Sequence, residues 1–189
     1  MTRLSFRPAA VVAAVGSLVF ALTAAAWWYV RPQPYDTVRR ADRLTVYEGL
    51  PHPLYEEEAF RGELKAARTA QLCGFPFYRE PLELKDEDAR ALRDLLGDAS
   101  TYRAYSGEKK CGGFHPDYAV EWPSSGEVDR ALICFGCSEV RIIRSRGGTF
   151  FYDLRRGRDR RPRLLDLLKA YRKNRPPHGR FGLTPVPSG

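Results

Sequence analysis

The stretch Tyr118 to Leu154, YAVEWPSSGEVDRALICFGCSEVRIIRSRGGTFFYDL, decides the fold. Four short runs rich in β-branched and aromatic residues lie within it: Tyr118 to Trp122, Val128 to Phe135, Glu139 to Ile143 and Thr149 to Leu154. Their separators are Pro123-Ser124-Ser125-Gly126, Gly136 and Arg146-Gly147-Gly148, the small and φ-permissive residues that reverse a chain. Connections this short favour antiparallel neighbours. The stretch therefore predicts a meander of three to four strands.

Helical patterns flank it. Upstream, Asp86 can act as N-cap, Ala89, Leu92, Leu95 and Leu96 form one apolar stripe, and Gly97 can end the helix in the left-handed conformation. Downstream, a helix is expected from about Arg160 to Lys173. Pro162 suits its first turn, and Leu164, Leu167, Leu168 and Tyr171 recur at i, i+3, i+4 and i+7, with Leu165 beside them. Pro176-Pro177 ends it. Earlier still, Leu44, Val46 and Leu50 alternate as a short strand within Arg43 to Leu50, which His52-Pro53 breaks because proline has no ladder N–H. A helix starting near Leu54 rests on Phe60, Leu64 and Ala67, with Glu56 to Glu58 at its electropositive end and Gly62 weakening it. Cys73-Gly74-Phe75-Pro76-Phe77-Tyr78 leads into an extended piece ending near Leu84.

This order predicts an α+β domain over 42–175, with about three helices covering one face of a small antiparallel sheet. Residues 31–41, with Pro32 and Pro34, read as a linker, and residues 176–189, with Pro185 and Pro187, as a disordered tail. Without its first 35 residues the chain keeps about 150, enough to bury a core.

Residues 1–30 carry the localisation signal. Ala9 to Val30 is an unbroken apolar run of about 22 residues, roughly one bilayer core long as a helix. Arg3 and Arg7 precede it, and Trp27, Trp28 and Tyr29 stand where aromatic rings prefer the membrane boundary. The run reads as an N-terminal transmembrane helix, a single-pass anchor in a bacterial cell membrane with the domain extracytoplasmic. The competing reading is a signal peptide cleaved after Ala26, with Ala24 and Ala26 as the small residues, giving a periplasmic or secreted protein. Arg31, Arg39, Arg40 and Arg43 follow the run while only Arg3 and Arg7 precede it, a charge asymmetry that supports the domain-outside orientation poorly.

The net charge is +8, and much of the excess sits in Arg155, Arg156, Arg158, Arg160, Arg161, Arg163, Arg172, Lys173, Arg175 and Arg180. One reading is a solvated surface. On an exported chain the other is contact with an anionic envelope component or an acidic protein partner. No helix-turn-helix, RNP-like or zinc-finger spacing is present, so no nucleic acid is expected.

The four cysteines are Cys73, Cys111, Cys134 and Cys137. An even number in an oxidising compartment favours disulfides. A hairpin of the first two strands brings Cys111 near Cys134 or Cys137, and Cys111–Cys134 is the pairing expected, with Cys137 joined to Cys73 or free. Cys134 and Cys137 could pair with each other only if Phe135-Gly136 turned. An alternative is a zinc-type knuckle of Cys111, His115, Cys134 and Cys137. A thiol-disulfide oxidoreductase using Cys134 and Cys137 is a third reading. It suffers from the strand-like Ser138 to Ile143, where a helix N-terminus would be needed to acidify a thiol, and from Glu139. Covalent haem attachment requires histidine where Ser138 stands. No G-x-S-x-G, H-E-x-x-H, P-loop or G-x-G-x-x-G is present. Asp117, Glu121, Glu127 and Asp129 read as turn and solvent-facing strand residues, Asp117 as a turn residue after Pro116.

Cys111 to Val120, followed by Ala131-Leu132-Ile133-Cys134-Phe135-Gly136-Cys137, resembles a bacterial family of exported, lipoprotein-like proteins without assigned activity. The shared pattern is a Cys-containing loop, an HPDYAV-like strand and C-F-x-C after a second strand, over about a quarter of the chain. The resemblance implies that Cys111, Cys134 and Cys137 act as a set, and it carries no catalytic residue. Some members of the family have histidine after the C-x-x-C, where this chain has Ser138. The expectation is thus a non-enzymatic envelope or interaction protein stabilised by cysteine pairing.

Overall fold

The computed structural model describes residues 23, 33–66, 68–109, 112–155 and 160–175. Two compact units divide the chain, Met1–Gln33 and Pro34–Gly189. The expected membrane helix over residues 1–30 (Thr23 apart), the tail 176–189 and Cys111 lie outside the described residues. Among the described residues no helix is long and apolar enough to cross a membrane.

The second unit is built on the meander. Its strands β5 (Tyr118–Ser124), β6 (Glu127–Cys134), β7 (Glu139–Ile143) and β8 (Thr149–Leu154) pair antiparallel in sequence order. The sheet is larger than the three to four strands expected. With β1 (Thr45–Glu48) and β4 (Tyr102–Ala104) it has six, in the order β1-β5-β6-β7-β8-β4. β1 returns to pair antiparallel with β5, Val46 opposite Val120 and Glu48 opposite Tyr118. A separate hairpin joins β2 (Thr69–Leu72) to β3 (Phe75–Tyr78). Its two-residue turn puts Cys73 at φ 52° and Gly74 at φ 82°, the mirror-image geometry that matches strand twist.

Strand period two sorts the side chains. Tyr118, Val120, Trp122, Ala131, Ile133, Val140, Ile142 and Leu154 face a core completed by helices α1 (Asp36–Arg39), α3 (Asp86–Gly97) and α4 (Arg160–Ala170). Leu92, Leu95, Leu96, Leu164 and Leu168 supply the helical side, as their spacing foretold. On the other face Ala119 and Leu132 are buried with Phe77 of the β2–β3 hairpin. The helices take one face, and the hairpin covers part of the second.

Two local expectations are corrected. The linker expected over 31–41 contains α1, whose Val38 and following Ala41 are in the core. Gly97 does not end α3 in a left-handed turn. It is the last helical residue, and a Cβ there would stand 2.0 Å from Arg39 Cγ, so its role is to let α1 come close. The helix expected near Leu54 forms as α2 (Glu57–Lys65), but none of its residues is buried.

Asp129 ties α1 to the sheet. The Trp122 indole donates to Thr37 Oγ1 at 3.0 Å, Thr37 donates to Asp129 Oδ2 at 3.2 Å, and Oδ1 accepts from Ser145 N and Oγ at 2.9 and 3.0 Å. Asp129 is fully buried rather than solvent-facing. Asp129→Ala is expected to lower unfolding stability by about 2 kcal/mol in urea titration, because it orphans these donors.

Candidate functional site

A buried polar cluster forms where the chain leaves β1. Gly49 N donates to Asp117 O at 2.7 Å, and a Cβ on Gly49 would stand 2.1 Å from Pro116 O. Only glycine lets the segment after β1 lie against the loop before β5. This contact brings two histidines from opposite directions together, with ring centroids 5.0 Å apart. His115 Nε2 lies 2.8 Å from Leu50 O. A carbonyl can only accept, so Nε2 carries the proton. His52 Nδ1 accepts from Leu54 N at 3.1 Å, and His52 N donates to Glu56 Oε2 at 2.8 Å, just before α2.

Arg175 closes the cluster from the far end of the sequence. Its Nη1 donates to Asp117 Oδ1 at 2.7 Å and its Nη2 to Glu56 Oε2 at 2.8 Å, with 7% of the side chain exposed. Asp117 Oδ2 accepts from Phe135 N at 2.7 Å. Glu48, at the end of β1 and buried, receives the chain that leaves α4. Its carboxylate accepts from the backbone N–H groups of Lys173, Asn174 and Arg175 at 3.2, 2.8 and 3.0 Å. Arg172 Nε stands 3.9 Å from it. Successive N–H groups cupped around one anion make a small nest, here filled by the protein's own carboxylate.

Burial sets the protonation states. It holds both imidazoles below the ordinary histidine range; His115 and Arg175 add to the effect at His52, and Arg175 adds to it at His115. Burial would raise Glu56, but its hydrogen bonds with Arg175 and the His52 N–H hold it below the ordinary carboxylate range. For Arg175 the adjacent Asp117 and Glu56 outweigh burial and raise its affinity for the proton. At neutral pH the site is an ion-paired guanidinium beside two uncharged imidazoles, and a proton added to either ring would be disfavoured by burial and by Arg175.

The sulfurs are placed differently from expectation. The chain turns at Phe135-Gly136, Ser138 N donating to Phe135 O at 3.2 Å. Cys134 nevertheless carries a free, buried thiol, and Cys73 a free, exposed one. Cys137 is disulfide-bonded. The expected Cys111–Cys134 bridge is therefore not formed, nor is one between Cys73 and Cys137. Cys134 Sγ instead accepts from Cys137 N at 3.2 Å and from the backbone N–H of His115. Burial pushes the Cys134 thiol up to about 12, with Asp117 adding to the rise, the opposite of a redox nucleophile. Of the zinc-type set, His115 turns Nε2 to Leu50, and the Cys137 sulfur is in a disulfide. Among the described residues no group of three or more His, Cys, Asp and Glu side chains could hold a metal ion.

Asp117 is no turn residue but a buried acceptor. Sequence reading passed over Glu48 and Glu56 as site residues, treated His52 as a strand breaker and counted Arg175 with the surface charge. Glu121 pairs with Arg130 on the hairpin β5–β6, and Glu127 is exposed. No protein-family model, curated protein or solved structure matches the chain.

Proposed function

We propose that the chain is a non-enzymatic envelope or interaction protein, an extracytoplasmic α+β domain carried to a bacterial membrane by residues 1–30 and stabilised by a Cys111–Cys137 disulfide. The bonded state of Cys137 carries this reading. Of four cysteines, Cys73 and Cys134 are thiols, which leaves Cys111 to pair. Gly113 O stands 3.5 Å from Cys137 Sγ, so the chain two residues beyond Cys111 passes that sulfur. Such a bridge suits an oxidising compartment, and closing a loop of this length is worth about 3.5 kcal/mol. Arg155 and Arg163 are exposed and available to an anionic envelope component or an acidic protein. Arg175 is not, since Asp117 and Glu56 hold it inside.

The test is intact mass after iodoacetamide, on protein exported to the periplasm. Native protein should take up label at Cys73, denatured unreduced protein at Cys73 and Cys134, and reduced protein at all four cysteines. Peptide mapping should recover Cys111 joined to Cys137. Four labelled thiols without reductant, or zinc retained with them, would refute the bridge.

A further inference from the structure

The segment Arg172–Arg175 is held at three carboxylates by charge-assisted hydrogen bonds: Glu48 accepts from its backbone, and Asp117 and Glu56 accept from Arg175. The two histidines sit against the last of these. His115 and Asp117 share the loop before β5, while His52 N donates to the Glu56 carboxylate and Glu56 N donates back to His52 O. We propose that Arg172–Arg175 is an acid-released strap: protonation at the His52–His115 pair detaches this segment from β1 while the sheet stays folded. This goes beyond the envelope role and does not depend on it.

The groups facing the pair come from several elements. The segment between His52 and α2 contributes Tyr55, its ring centroid 4.5 Å from that of His52, and Glu56; the loop before β5 contributes Asp117, β6 Cys134, and the strap Arg175. Glu48 of β1, Tyr78 of β3, Tyr118 of β5 and Arg172 lie one step further out, around Asp117 and Arg175. Tyr78, Tyr118 and Cys134 are raised by burial and stay neutral through the mildly acid range. Glu56 is held low and stays ionised there. The histidines are thus the groups that change. A proton on either ring puts a second cation beside Arg175 and competes with it for Asp117 and Glu56. With ring centroids 5.0 Å apart, a charge on one ring opposes a charge on the other.

The sign follows from linkage. Closed, both imidazoles bind protons more weakly than ordinary histidine; open and hydrated, they return toward about 6.5. Above that value neither state is protonated and the closed strap is fully favoured. As pH falls below it, the open form gains protons first, and each histidine can shift the equilibrium by up to about tenfold per pH unit. The sheet is spared because β6 and β7 bond to their strand neighbours and not to the strap.

Amide hydrogen exchange of the full chain, corrected for intrinsic rates, tests this. Between about pH 7.5 and about pH 5.5, protection of the Lys173, Asn174 and Arg175 amides should fall about tenfold or more. Protection at Leu132 and Ile142 should not change. His52→Asn keeps an acceptor for Leu54 N, and His115→Gln keeps a donor to Leu50 O. The double variant should show strap protection that is flat with pH. Strap amides that keep their protection, or lose it in step with Leu132 and Ile142, overturn the proposal on the unaltered protein even if the double variant does not fold. A pH response that survives in a folded double variant overturns it as well.

Discussion

Arg175→Met is expected to lower folding stability by about 3 kcal/mol, read as a shift in the urea midpoint. The substitution keeps an apolar stem but strips the guanidinium bonded to both Glu56 and Asp117, and breaking one side of a buried ion pair leaves uncompensated charge in a poorly solvated place. Removing the orphaned charges should restore much of the loss, so Arg175→Met/Glu56→Gln/Asp117→Asn should be more stable than Arg175→Met alone. The same signature should appear in the strap amides, whose protection should be low at neutral pH in Arg175→Met. A midpoint within experimental error of the unaltered protein would mean that Arg175 is ornamental to the fold.

Gly49→Ala should be comparably severe, about 3 kcal/mol, although it adds a single methyl group. The clash is with backbone: the new Cβ would stand 2.1 Å from Pro116 O and 3.0 Å from Asp117 O. Neither oxygen belongs to a flexible side chain that could swing away, so the segments must part and stretch the Gly49 N to Asp117 O bond of 2.7 Å. Parting them also moves His52 away from His115. Gly136→Ala is the matched control, since the nearest atom to its Cβ is Cys134 Sγ at 4.0 Å. Thermal unfolding of the two variants side by side should separate them clearly, and equal melting temperatures would count against the steric account.

The meander was legible because its information is local: each strand run is followed within a few residues by the turn that pairs it with the next. β1 was legible as a strand, yet its place in the sheet was not, because its partner begins at Tyr118 and nothing near Thr45 names it. β4 escaped because three residues do not establish an alternation. α1 hid among prolines and arginines, its contribution resting on Val38 and Ala41 rather than on an apolar stripe. The site was harder still. Asp117 follows a proline, as turn residues do, and only the fold shows it accepting from Phe135 N and Arg175. Arg175 stands in a basic run where a buried arginine looks like its exposed neighbours, and its acidic partners lie 58 and 119 residues away. The sulfur chemistry was not legible either: Cys134, expected in a bridge, carries a free thiol. Strand proximity suggested Cys134, whereas the turn after β6 carries Cys137 toward the Gly113 loop and turns Cys134 inward.

Glu48 waits a long time for its partners. The amides that surround its carboxylate belong to residues 125 to 127 positions further along the chain, so a ribosome has made nearly the whole domain before the first strand can bury its charge. Until then that edge is unfinished, and a nascent chain caught at this stage displays an anionic strand with its counterpart missing. Completion of the domain is thereby tied to the arrival of the segment that follows α4, and a chain cut short before Lys173 should behave as an incompletely folded substrate for chaperones and proteases rather than as a slightly smaller version of the same protein.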